Sequence, residues 1–246
     1  MPREVRVSRR SVLTRLGLTL AALPLVSAAA SCSSGSSRRD ADLPEPYWPQ
    51  TPRTQGVTSS RTTTPKTEYV APAPTSSEVI PRSAWAKAAP VPRLMDPAQR
   101  IYRITLHHDG MPSAFTSMDK ASVAAHLEQI RQGHRDRNFG DIGYHFLVDP
   151  AGRIWAGRPL QWQGAHVKDQ NEGNLGICVM GNYEIQQPNN AQLVATERFV
   201  AQAMRHYGVR VNNVRTHREM APTACPGRYL QPQLVVMRRQ SSLASA

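Results

Sequence analysis

From Ser33 to Ser77 the chain is dominated by Ser, Thr, Pro and charged residues, with few side chains able to form a core. Such a stretch buries too little apolar surface to offset the ordering of its backbone, so any fold must be built from the residues on either side. Pro44, Pro46, Pro49, Pro52, Pro65, Pro72 and Pro74 favour extended structure over a random coil, which makes residues 32–78 a fairly stiff tether. Residues 79–246 are left as the folded domain and residues 1–31 as a separate leader. No internal repeat and no coiled-coil heptad appears.

The leader reads as an export signal. Ser8-Arg9-Arg10-Ser11-Val12-Leu13 precedes an apolar run from Leu16 to Val26 and small residues from Ser27 to Ser31. Gly17, Thr19 and Pro24 interrupt the run, which is too short for a membrane span. The paired arginines resemble the twin-arginine type of signal; an ordinary secretory signal with an Arg-rich start is the alternative, and both export the chain. Ala29-Ala30-Ser31-Cys32 reads as a permissive lipobox, with Cys32 as the lipid-modified anchor. Cleavage at Ala28-Ala29-Ala30 would instead leave Cys32 a stray thiol, but the tether that follows favours the lipoprotein. The expected location is the periplasm or cell envelope, at a membrane.

Charge divides along the same boundaries. Of the formal net +12, residues 1–31 carry +4, residues 32–78 are balanced, and residues 79–246 hold twenty basic groups against twelve acidic ones. A basic domain suits an anionic polymer such as nucleic acid, anionic lipid or a carboxylate-bearing wall. No aromatic stacking platform or recognition motif supports nucleic acid, which is therefore not expected as a partner.

Within 79–246 the periodicity switches repeatedly between strand and helix. Residues 101–107 alternate as a half-buried strand that runs into His107-His108 and is stopped by Asp109-Gly110. Residues 117–133 predict a helix with Val123, Leu127 and Ile130 inward and Lys120, Glu128 and Arg131 toward water. Tyr144 to Asp149 and Arg153 to Gly157 form a hairpin pattern around Pro150-Ala151-Gly152. Leu175 to Met180 is apolar enough for a strand buried on both faces, with Cys178 in its core. Helices are predicted over 190–207, ended by Gly208, and over 228–239. The fold class is α/β: a single domain with a central mixed β-sheet flanked by helices.

Two places offer chemistry. His107 and His108 stand at a strand end, where active sites tend to sit. His217 and Cys225 flank a Pro-containing loop able to bring imidazole and thiolate together. Two His and one Cys make a three-ligand zinc set with the fourth position open, as in catalytic sites. From spacing alone, Cys225 could equally be a small buried hydrophobe or pair with Cys178. Strand parity does not choose between His107 and His108.

A series of blocks bears on the choice. Ile80 to Trp85, Ile104 to His108, Asp141 to Asp149, Gly152 to Arg158, Gly164-Ala165-His166, Asn171, Leu175-Gly176-Ile177, Gly181-Asn182-Tyr183 and the loop from His217 to Gly227 resemble, in order, those of the type 2 N-acetylmuramoyl-L-alanine amidases, the family that includes the peptidoglycan recognition proteins. The resemblance implies a peptidoglycan recognition protein-like fold, a Zn2+ cofactor held by His107, His217 and Cys225, and a monomer acting on peptidoglycan. It implies catalytic roles for Tyr144, as hydrogen-bond donor to the oxyanion, for His166, in the substrate groove, and for Thr223, as an auxiliary donor where a phage relative has lysine. The proton donor to the leaving amine is left open by that threonine. Relatives that bind without cleaving typically lack the cysteine ligand, and a non-catalytic peptidoglycan-binding lipoprotein is the alternative function. His145 and Asp149 are expected to brace the strand or a ligand, His126 and His134 to be solvated or capping, and His206 to favour a helix C-terminus.

Overall fold

The computed structural model describes residues 79–239 and Leu243; the leader, the tether and Cys32 lie outside the described residues. Six strands form one sheet in the order β1 (Val79–Ile80), β4 (Ile154–Ala156), β3 (Phe146–Val148), β5 (Asn174–Val179), β2 (Arg103–His108), β6 (Val214–Thr216). Only β3 and β4, joined through the expected tight turn at Gly152, run antiparallel; the other neighbours are parallel, so the sheet is mixed as expected. Strands β1 and β6, two and three residues long, have no counterpart in the sequence reading.

The pleat sorts every strand into two sides. Ile104, Leu106, Phe146, Val148, Ile154, Leu175, Ile177 and Val179 pack with α2 (Asn190–Tyr207) and α3 (Leu230–Arg239) through Phe199, Val200, Met204, Leu230 and Leu234. Leu147, Trp155 and Cys178 point the other way, against Val123, Leu127 and Ile130 of α1 (Lys120–Asp136). Covered on both sides, β5 is buried at all six positions, which accounts for its apolar run. Each fully buried aliphatic side chain contributes about 1.5–3 kcal/mol.

Helix ends follow local chemistry. Helix α1 starts three residues later than its apolar pattern suggests because Asp119, in extended backbone, accepts the Ser122 N–H at 2.8 Å. Helix α2 is capped by Asn189, which accepts from Gln192 at 2.9 Å, and ends as expected at Gly208, whose left-handed φ of 68° lets Val209 N–H reach the Met204 carbonyl at 2.9 Å. No helix among the described residues is long and apolar enough to cross a membrane.

Two expectations for α1 are corrected. Glu128 and Arg131 do not face water: at 5% and 4% exposure they form an ion pair at 2.6 Å, and the Glu128 carboxylate also receives Gln132 and the Lys87 N–H. The arginine bonds hold the Glu128 carboxyl down at about 2. His126 and His134 are buried as well, because the 109–115 and 139–144 segments pack over the side of α1 that the helical period assigned to solvent. His126 lies 3.0 Å from Asp109 and stacks on Phe115, while His134 Nδ1 accepts the Gly143 N–H at 2.9 Å. His206 does stand exposed in the last turn of α2.

Candidate metal centre

Strand β2 carries His107 and His108 to the C-terminal edge of the sheet and sends them to opposite sides. His107 shares its side with Cys178, its register partner on β5, and His108 shares the side of Ile104 and Leu106. His217 follows β6 directly, in a single helical turn (His217–Glu219) fixed by Glu219, which accepts the Thr216 N–H at 2.8 Å and is gripped by Arg238 at 2.6 and 2.8 Å. Because β6 pairs with β2 up to Thr216, the two histidines emerge side by side, with ring centroids 4.7 Å apart. Thr216-x-x-Glu219 has the spacing of a helix-start box, a sequence signal that would have revealed this turn.

The loop back to Cys225 is drawn in by Arg218, which donates to the carbonyls of Thr223 and Ala224 and to Glu184. Glu184 also accepts the Arg228 N–H at 2.8 Å, so both ends of the loop are pinned. Cys225 Sγ then lies 3.6 Å from His107 Nδ1 and 3.5 Å from the His108 amide, which points at it. One donor atom from each of His107, His217 and Cys225 falls within 4.8 Å of the others, and all three residues are buried. Cys178 and Cys225 are both free thiols.

Electrostatics prepares these groups for a cation. Burial, then His217, His166 and His108, hold the His107 imidazole well below its ordinary range, and burial brings His217 down to about 4. Burial pushes the Cys225 thiol up. Neutral imidazoles around a thiol offer lone pairs without a counter-cation, and His217 Nδ1 is buried with no hydrogen-bond partner among the described residues. An orphaned nitrogen beside a thiol and a second imidazole fits a metal, which would satisfy it and displace the thiol proton. His108 also has a buried nitrogen, Nε2, without a partner among the described residues, but it lies outside the donor cluster and its Nδ1 accepts the Tyr183 N–H at 3.1 Å, so it braces the adjoining loop.

Tyr144 stands beside the cluster, its ring 5.2 Å from that of His107. Burial first, then the neighbouring thiols and Asp109, raise its pKa well above normal, so the phenol stays protonated as a donor. It lines a cavity of about 260 Å³ with Asp109, Met111, Ile130, His134 and Arg137. The segment that carries it is braced by Arg82, paired with Asp141 at 2.9 Å, and by buried Arg158, which donates to the carbonyls of Asp141, Ile142 and Gln163. Thr223, half-buried, turns its hydroxyl back to the Cys225 N–H at 3.2 Å.

His166, expected in the substrate groove, lies beside the cluster. It is 2% exposed and sits behind His107, with Nδ1 3.0 Å from His107 Nε2. His145 braces the strand as expected: Nδ1 accepts the Gly176 N–H at 3.0 Å and Nε2 reaches the Trp162 carbonyl at 3.2 Å. Asp149 closes the hairpin turn by accepting the Ala151 and Arg153 amides, each at 2.9 Å.

Residues 97–228 match the family model described as N-acetylmuramoyl-L-alanine amidase. The chain belongs to that family. Among its relatives, a peptidoglycan-recognition protein of Drosophila simulans is 33% identical over 161 residues, 64% of this chain and 85% of that protein. The N-acetylmuramoyl-L-alanine amidase of Sus scrofa is 32% identical over 61% of this chain, which spans only 25% of that longer protein. The solved structure of peptidoglycan recognition protein-LE in complex with tracheal cytotoxin, a monomeric diaminopimelic acid-type peptidoglycan, superposes with a TM-score of 0.56 at 26% identity, covering 64% of this chain and 94% of that one. The amidase and recognition-protein resemblance and the mixed α/β architecture are thus both met.

Proposed function

We propose that this family member is a zinc-dependent N-acetylmuramoyl-L-alanine amidase, which hydrolyses the amide between the lactyl group of N-acetylmuramic acid and L-alanine in peptidoglycan. The observation that carries the reading is the buried His107, His217 and Cys225 set, with its orphaned His217 nitrogen, next to a cavity lined by Tyr144. Peptidoglycan as the ligand class is supported by the recognition protein whose structure contains tracheal cytotoxin.

Bound at these residues, zinc supplies Lewis acidity toward the scissile carbonyl and acidifies a water. The protein contributes the rest. Tyr144, kept protonated by burial, donates a hydrogen bond to the carbonyl oxygen as it gathers negative charge. The His108 amide steadies the Cys225 sulfur, Arg218 and Glu184 hold its loop, and the Thr223 hydroxyl accepts the Cys225 N–H. We assign the cavity beside Tyr144, lined by Asp109, Asp136 and Arg137 among others, to part of the stem peptide.

The test is digestion of sacculi with the purified protein, followed by mass spectrometry of the new chain ends. Free L-alanine amino termini are expected, abolished by Cys225→Ser. Binding to sacculi without release would make the protein a recognition module. For location, we propose export and lipid anchoring through Cys32, with the tether reaching toward the wall. Cys32→Ala is expected to move the protein from the membrane fraction to the soluble exported fraction, and an unchanged membrane fraction would contradict the anchor.

A further inference from the structure

His166 occupies a slot cut to its ring. A Cβ on Gly164 or on Gly176 would lie 2.5 Å from His166 Cδ2 and 2.6 Å from its Nε2, so glycine at both positions makes the room. Asn171 fixes the backbone beneath: its Oδ1 accepts the N–H groups of His166 and Val167, each at 2.8 Å. The ring then spans two partners. Nε2 lies 3.1 Å from the Asn174 carbonyl, and Nδ1 lies 3.0 Å from His107 Nε2. Asn174 is itself held, its side chain accepting from Thr105 at 2.8 Å and donating to the Gln170 carbonyl at 2.8 Å.

The partners dictate where the protons are. A backbone carbonyl has no hydrogen to give, so His166 Nε2 carries one. With the Nε2 hydrogen committed to that carbonyl, an imidazole carrying a single N–H has Nδ1 left to accept from His107 Nε2. The hydrogen between the two rings therefore belongs to His107 Nε2. His107 is left with a bare lone pair on Nδ1, the atom that faces Cys225 Sγ at 3.6 Å.

We propose that His166 is a positioning residue: with the Asn174 carbonyl it locks His107 in the Nε2–H tautomer, and so presents Nδ1 to the metal. The proposal rests on the zinc reading for its purpose, yet its first test needs no metal. It differs from a groove role in that His166 acts through His107 and not on substrate. Two hydrogen bonds in series also orient the ring and make its free nitrogen a better ligand.

The experiment uses the full-length chain stripped of metal by a chelator. Nitrogen-15 correlation spectra of the imidazoles are expected to show His107 protonated at Nε2 and bare at Nδ1. His166→Leu removes the acceptor, so His107 becomes free to place its proton on either nitrogen. Zinc affinity, measured by chelator competition, is expected to weaken by roughly 10–100-fold. His166→Asn, whose side-chain oxygen can stand in for Nδ1, is expected to recover most of that loss. A wild-type His107 protonated at Nδ1, or a His166→Leu protein with unchanged zinc affinity, would overturn the proposal. If His166→Leu does not fold, the wild-type tautomer decides alone. Failure of the zinc reading itself would show as a wild-type chain that binds no zinc, whatever the tautomer.

Discussion

His107 and His108 are adjacent, equally buried and both kept neutral, yet they belong to different regions of the molecule. His107 faces the α1 side, where the sheet's end holds a second histidine, a thiol and a tyrosine-lined cavity. His108 faces the α2 and α3 side, where the core is apolar and its Nδ1 ties down the Tyr183 amide. The pleat of one strand separates a proposed ligand from a brace. Burial and a lowered pKa are therefore not enough to mark a functional histidine; what each nitrogen faces decides.

The sharpest way to break the comparison is to truncate each ring. His107→Ala should lose most bound zinc and all measurable hydrolysis, whereas His108→Ala should keep the ligand set. The second variant should instead cost about 2–4 kcal/mol, from a cavity and the Tyr183 N–H left unpaired. Metal analysis alongside urea denaturation separates the two outcomes; equal zinc loss in both would refute the division. Tyr144→Phe, on the His107 side, should keep zinc and fold but lower turnover by roughly 10²–10³, as measured by release of L-alanine amino termini.

A smaller effect concerns a histidine outside the ligand set. His134, brought down to about 3 by burial, stays neutral in the fold while the unfolded chain gains a proton below about 6.5. The unfolded state then binds more protons, so stability falls as pH drops from about 6.5 toward 3, by up to ~1.4 kcal/mol per pH unit from this group. Denaturation midpoints at pH 7 and 5.5 should show the decline, and His134→Leu should make it shallower.

Much of this arrangement was readable in the residues, and the rest was hidden for definable reasons. The apolar run of β5, the hairpin around Gly152 and the stop at Gly208 are local signals, and each became the expected element. Strand β6 escaped because it has three residues, with Arg215 exposed between Val214 and Thr216, too short for a period of two to register. Glu128, Arg131, His126 and His134 were misjudged because a helical period locates one apolar face but not the loops that pack over the others. The trio that the fold brings together, His107, His217 and Cys225, could be named from the order of motif blocks, although the choice of His107 over His108 needed the resemblance. His166 behind His107 was not accessible in the same way: its slot depends on Gly164 and Gly176, which only the folded sheet brings to either side of one ring.

The central claim is that His107, His217 and Cys225 together hold a catalytic zinc. X-ray absorption at the zinc edge of the purified protein tests it most directly. One sulfur at about 2.3 Å and nitrogen or oxygen neighbours at about 2.0–2.1 Å are expected, with the sulfur signal lost in Cys225→Ser and kept in Cys178→Ser. A zinc shell without sulfur, or a sulfur signal that survives Cys225→Ser, would contradict the account.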